Sequence, residues 1–198
     1  MRDPSASRNK KYEEYVVVLD FLPLGRLASK KPMYSREPLV QVIGEKYFTL
    51  LELTTPKDAL INLHDRLNIS PREKRKPITQ VKRRISSEEL TATAKRELPF
   101  AIEKIVATQE ARFVKFFNDA HPITTRRHQL ELLPGVGKKL VIDILNERKK
   151  GPFKSFAEIE ERTRIHPTKV IEKRILSELE RNEKHYLFAR PPTREDNR

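Results

Sequence analysis

The chain has 198 residues, 41 Lys and Arg against 28 Asp and Glu, and a formal net charge of +13. The absence of cysteine excludes disulfides, thiolate zinc sites, cysteine-held iron–sulfur clusters and cysteine nucleophiles. No run of about 18 apolar residues is present to cross a membrane as a helix, and the polar start Met1–Lys11 lacks the apolar centre of a signal peptide, so a cytoplasmic location is expected.

A sequence pI near 10.0 points to an anionic partner. The charge is concentrated in two places. Arg66 to Arg84 carries eight basic residues against Glu73 alone, and Arg126 to Lys154 carries eight against Glu131, Asp143 and Glu147. Ser155 to Glu183 is near neutral.

In chain order, residues 1–11 read as a disordered basic arm. Tyr12 to Leu22 reads as a strand with Tyr15, Val17, Leu19 and Phe21 on one face and Val16, Val18 and Asp20 on the other. A strand apolar on both sides needs cover on both. Residues 26–37 form a basic loop. Leu39 to Ile43 and Lys46 to Leu53 are two further strands, joined at Gly44-Glu45 by a type II′ turn. Leu60 to Ile69 offers a weaker strand with a turn near His64-Asp65, and Ile78 to Ile85 a fifth. Five short antiparallel strands predict a small closed barrel over 12–85, similar to an OB-fold.

The pattern turns helical at Ser86, whose spacing to Glu89 is that of a capping box. A helix to about Glu97 is expected, then a longer one from Pro99 through Ala120 with the stripe Ile102, Ile105, Val106, Phe113, Phe116 and Phe117. Residues 86–121 would thus be linker helices packed on the barrel. His121-Pro122 ends them.

Thr124 to Glu131 is a short amphipathic run, Leu140 to Lys150 a longer one, and Leu132-Leu133-Pro134-Gly135-Val136-Gly137-Lys138-Lys139 joins them. Pro134 cannot continue a helix, Gly135 and Gly137 permit a sharp turn, and Val136 can pin the loop inward. The helix that follows exposes unsatisfied N–H groups and the positive end of its dipole. Glycines let a phosphate oxygen approach these amides, and Lys138 and Lys139 add charge beside them. The run resembles the helix-hairpin-helix motif of DNA- and RNA-handling proteins, in which the loop amides grip one backbone phosphate without reading bases. Gly151-Pro152 stops the second helix, Ser155 with Glu158 opens a short one, and a final helix runs through Val170, Ile171, Ile175, Leu176 and Leu179. The order is that of a tandem helix-hairpin-helix unit over 122–183, whose second turn lacks glycines. Lys184 to Ala189 is a candidate last strand, and Arg190 onward a charged tail.

The stretches Tyr34 to Gly44, Val81-Lys82-Arg83-Arg84-Ile85 and Pro122 through Lys139 resemble a family of uncharacterised archaeal proteins, described as a domain of unknown function with predicted nucleic-acid binding. The resemblance spans roughly residues 12–188. It implies an α+β chain, an OB-like barrel ahead of an all-α helix-hairpin-helix domain, and a gene neighbourhood of translation and transcription functions.

No catalytic constellation is readable. His64, His121, His128, His166 and His185 form no metal-ligand pair. A base-excision glycosylase carries a similar Leu-Pro-Gly-Val-Gly turn but needs a catalytic Asp downstream, and Asp143 lies inside the helix that follows the turn. Glu158, Glu160 and Glu161 read as a solvated face of a short helix, not as a nuclease metal site.

The expectation is a monomeric, non-catalytic binder of nucleic acid, RNA before DNA, without metal or cofactor, in a ribosomal or translation setting. The expected contacts are Pro134, Gly135, Val136, Gly137, Lys138, Lys139, Arg126, Arg127, Lys149, Lys150 and Lys154. Mid-chain Arg72, Lys74, Arg75, Lys76, Lys82, Arg83 and Arg84 would extend the surface. The alternatives are an adaptor meeting ribosomal or transcription proteins and a DNA-binding repair-type factor.

Overall fold

A computed structural model describes residues 12–26, 32, 36–70, 77–181 and 183–191. The expected arm 1–11, most of the loop at 26–37, the cluster Arg72, Lys74, Arg75 and Lys76, and the tail from 192 lie outside the described residues. The chain is mixed α and β and divides into two compact units. Among the described residues, one comprises those up to Ile85 with Glu89–Ala94, the other Ser86–Glu88 with those from Lys95 onward.

The first unit is a five-stranded antiparallel sheet: β1 (Tyr15–Leu22), β2 (Leu39–Gly44), β3 (Leu50–Thr54), β4 (Arg66–Asn68) and β5 (Gln80–Arg84). The strand order is β4-β1-β2-β3-β5. Val16, Val18, Val40, Val42, Leu51 and Leu53 share a core cluster with Leu67 and Ile69. Val17, Leu19 and Ile43 are buried too, so both faces are covered, as the doubly apolar sequence demands.

The closed barrel is not formed. β4 and β5 are the sheet edges, and no ladder joins them among the described residues. β4 has only three residues, and two of the five residues of β5 are exposed cations, which suit an edge.

A bulge between Val18 and Asp20 changes the facing of β1. Phe21 therefore packs with Val16 and Val18, not with Tyr15, Val17 and Leu19 as strict alternation predicts. The bulge also brings Asp20 into register with Gln41, which pairs with Glu52, which pairs with Arg83. This polar row holds the segment leading into the first helix. Asp20 accepts from the Thr91 hydroxyl at 2.6 Å, and Gln41 accepts from the Thr91 N–H at 2.9 Å and donates to the Glu89 carbonyl at 3.1 Å.

The β2–β3 connection is not a two-residue turn. Residues 45–49 form it, with Ile43 opposite Leu50. Glu13 decides this, because its carboxylate accepts N–H bonds from Lys46, Tyr47 and Thr49 at 3.0–3.1 Å and organises a wider loop.

The α-helices among the described residues are α1 (Ala92–Thr108), α2 (Glu110–Asp119), α3 (Lys138–Lys150), α4 (Phe156–Thr163) and α5 (Pro167–Leu179). Thr91, not Ser86, caps α1 through its hydroxyl to the Ala94 N–H, while Glu89 is drawn to Arg83. Pro99 lies inside α1 and starts no helix; the lost hydrogen bond and ring clash cost about 3 kcal/mol, which burial of Leu98, Ala101 and Ile102 around it offsets. The long helix instead breaks at Gln109. In the second unit the rings of Phe113 and Phe116 meet Phe188 edge-on at 5.4 and 5.0 Å.

Lys184–Ala189 is not a strand. Glu178, buried on α5, accepts the N–H groups of Leu187, Phe188 and Ala189. Backbone donors satisfied by a buried carboxylate have no need of a sheet.

Candidate nucleic-acid interface

The segment 122–131 departs from the expected helix. Pro122–Thr124 (β6) and Arg127–His128 (β7) form a two-stranded hairpin, followed by a 3-10 turn at Gln129–Leu132. A helix over Thr124–Glu131 would have had only Leu130 to bury and begun with two β-branched threonines, so neither packing nor propensity favours it. The hairpin is closed by the Gln129 N–H to the His121 carbonyl and by the His121 N–H to the Gln129 side chain.

His128 caps the 3-10 turn. Its Nδ1 accepts from the Leu130 N–H at 3.1 Å, and Glu131 reaches back to the His128 N–H at 3.1 Å. Burial, with help from the nearby Arg148 charge, lowers the His128 pKa below its ordinary value. That shift favours the neutral ring, whose Nδ1 can accept.

Leu130, Leu132, Leu133 and Val136 are buried and anchor the loop that follows. The Val136 N–H bonds to the Leu133 carbonyl at 3.0 Å across Pro134-Gly135, and Gly135 has φ of 83°. Proline second and a positive-φ glycine third are the marks of a type II turn. Gly137 is the N-cap of α3 with extended backbone and no side chain to cap it. The first intrahelical bond is Val141 N–H to the Gly137 carbonyl, so the amides before it have no intrahelical acceptor. A Cβ at Gly135 or Gly137 would meet nothing within 4 Å, which leaves the approach open.

Arg174 braces this loop from inside. Almost fully buried on α5, it donates to the Leu132 carbonyl at 3.1 Å and to the His185 carbonyl, and pairs with Glu178 and Glu183. An open depression of about 550 Å³ beside the loop is lined by Arg127, Arg174, Glu131, Glu183 and the loop itself. The C-terminal end of α3 is fixed as firmly. Arg148 donates to the carbonyls of Phe117, Asn118 and Ala120, and Arg162 to those of Glu147 and Gly151.

The expected contacts therefore fare differently. Lys138 and Lys139 are exposed beside the open amides, and Arg127 lies at the depression with Arg126 exposed in the preceding turn. None of these four, nor Lys149, pairs with a carboxylate among the described residues. Val136 is buried and shapes the loop without reaching solvent. Lys150 is tied to Glu147 at 2.5 Å, and the Lys154 N–H bonds to Glu158. The capping box at Ser155 is half formed, since Ser155 Oγ accepts from the Glu158 N–H but Glu158 turns to Lys154.

In the other unit, Arg83 is committed to Glu52 at 3.2 Å and Glu89 at 2.5 Å, and Lys82 lies 3.9 Å from Glu52. Arg84 sits half-buried at the end of β5. Sequence reasoning missed Arg174, His128 as a cap, and the exposed Ile142 and Asn146 of α3. Only the last two were within reach, by laying Lys138–Lys150 on a 3.6-residue period.

Among the described residues no group of three His, Asp or Glu is placed to hold a metal, and no helix is long and apolar enough to cross a membrane. The chain is 43% identical over 192 residues to an uncharacterized protein, MJ0038, of Methanocaldococcus jannaschii, covering 96% of this chain and 86% of that one. It superposes with a TM-score of 0.84 on the crystal structure of Af1531 from Archaeoglobus fulgidus, at 46% identity, covering 90% of this chain and all of the other. The model of the protein of unknown function family DUF655 matches residues 12–190, and the chain belongs to that family.

Proposed function

We propose that this protein is a non-catalytic binder of structured nucleic acid, RNA before DNA, that grips backbone phosphate at the start of α3. The observation that carries the reading is the open approach to the amides past Gly135 and Gly137, with Lys138 and Lys139 unpaired beside it among the described residues. Helix N-termini favour anions, and full charges nearby add a salt-dependent attraction. We read Gln129–Lys150 as a helix-hairpin-helix whose first helix is reduced to a 3-10 turn, and the sheet as an OB-like barrel left open between β4 and β5. Asp143, the one Asp soon after the turn, is an exposed residue of α3, the helix that the turn itself opens.

Purification from native cells at low salt tests the reading. Nucleic acid should accompany the protein, raising absorbance at 260 nm, and high salt should remove it. A nucleic-acid-free preparation that also binds no RNA or DNA at low salt would overturn the proposal. The adaptor alternative is favoured by one feature, Leu60, which is 92% exposed on a loop otherwise pinned to the sheet by Ile61 and by His64 N–H to the Val18 carbonyl.

A further inference from the structure

α3 turns one continuous face to solvent. At 3.6 residues per turn, Lys138, Lys149, Ile142, Asn146 and Lys139 follow one another around an arc of about 100°, and all are exposed. Lys150 and Asp143 lie at its far rim, while Val141 and Ile144 are buried on the opposite side. Ile142 is 58% exposed, although a surface helix ordinarily turns such a residue inward. It sits within a ring of lysines, and Lys138, Lys139 and Lys149 make no ion pair among the described residues. An apolar centre with an unpaired cationic rim complements a polyanion that also offers apolar and hydroxyl surface.

We infer that this face of α3 lies across the minor groove of double-stranded RNA. The inference rests on the phosphate-gripping reading above and names its partner. Lys138 and Lys149 are about 16 Å apart along the axis at 1.5 Å per residue. They stand at the two ends of the face, on either side of Ile142 and Asn146. That arrangement suits two backbone tracks flanking a groove floor.

The groove follows from size and chemistry. A helix about 10–12 Å across does not enter the minor groove of B-DNA, which is about 6 Å wide. The major groove of A-form RNA is deep and narrow, and side chains do not read it. The major groove of B-DNA and the minor groove of A-form RNA remain. A reader of the DNA major groove presents several side chains that hydrogen-bond base edges. Within this arc the lysines stand at the ends and edge, where phosphates lie, so Asn146 is the one hydrogen-bonding side chain left at the centre, and Ile142 beside it offers none. The wide, shallow RNA minor groove asks for less: an amide for a ribose 2′-hydroxyl, an apolar contact to sugars, and lysines on phosphates. Recognition is then of duplex shape, without base sequence.

The test is fluorescence anisotropy with the full chain at several salt concentrations. The probes are a blunt RNA duplex two turns long, a DNA duplex of the same sequence, and unstructured single-stranded RNA. The RNA duplex is expected to bind roughly tenfold tighter than either other probe. Lys149→Gln should reduce the log–log salt slope on the RNA duplex by about one. Ile142→Asp, an exposed change, should weaken the RNA duplex roughly tenfold or more by setting a carboxylate against the groove. A DNA duplex bound as tightly as RNA would overturn the inference. So would unchanged RNA binding in both variants while Lys138→Gln and Lys139→Gln still weaken it, which leaves the phosphate grip standing. Failure of every probe to bind wild type would overturn the phosphate grip and the groove reading together.

Discussion

The carboxylate of Glu13 occupies the space that a side chain at Gly44 would need. A Cβ on Gly44 would lie 2.0 Å from Glu13 Cδ and 2.2 Å from Oε1. Glu13 is nearly fully buried just before β1, and its oxygens take the N–H groups of Lys46, Tyr47 and Thr49 in the β2–β3 loop. Two segments about thirty residues apart in sequence are thus locked by one carboxylate and one missing methyl.

Gly44→Ala should therefore destabilise the protein by pushing Glu13 out of its seat, and Glu13→Ala should do so by leaving three backbone donors without their acceptor. Each loss should be about 1–3 kcal/mol or more, the cost of stranding buried polar groups. Urea unfolding of both variants and the pair checks this. The double variant should lose much less than the sum of the singles, because both break the same contact.

The two loop glycines should separate folding from binding. Gly135 has φ of 83°, so Gly135→Val should lose about 1–3 kcal/mol of stability from backbone strain. Gly137 has φ of −84° and open space around it, so Gly137→Val should fold normally and weaken nucleic-acid binding by blocking the amides. Thermal unfolding paired with anisotropy distinguishes the two. Replacing Lys138 and Lys139 together by Gln should flatten the log–log salt dependence on a duplex by about two units, equally for unrelated sequences.

Protonation of His128 should open the 3-10 cap. Burial, first, and the Arg148 charge lower its folded-state pKa, so between the folded and unfolded values the unfolded chain binds more protons. The His128 contribution is then present above the unfolded value of about 6.5 and is lost as pH falls through the folded one. His128→Asn, which keeps a capping acceptor, should reduce the loss of stability on going from neutral to mildly acidic pH. Urea midpoints across that range measure it. An unaltered pH profile in the variant would mean that other groups carry the dependence.

Glu178→Ala should be among the more damaging single changes. Its side chain has no solvent exposure, neutralises Arg174 at 2.8 Å and holds the N–H groups of residues 187–189. Removing one partner of a buried pair costs about 3–5 kcal/mol. Arg174 also grips the Leu132 carbonyl ahead of the loop. Nucleic-acid affinity should therefore fall with stability in Glu178→Ala, but not in Lys173→Ala, an exposed residue on the same helix. Denaturation and binding measured on the two variants check the coupling.

Local chemistry by itself determined several features. Short apolar runs marked β1, β2 and the latter half of the expected third strand, because both faces carry apolar side chains, and Pro134-Gly135-Val136-Gly137 marked the turn into α3 because few residue types tolerate that backbone. Gly151-Pro152 ended α3 for the same reason. Tertiary contacts decided the rest. Glu13 widened a turn that Gly44-Glu45 alone would make tight, and the bulge before Asp20 turned Phe21 into the core. Glu178 drew 187–189 away from strand pairing, and Arg83, one more cation in the sequence, was claimed by Glu52 and Glu89. Three of these turn on a buried carboxylate, Glu13, Glu178 or Glu52, whose partners lie outside its own element. Periodicity measures only the local alternation of apolar and polar side chains, so it carries no signal for where such a partner will come from.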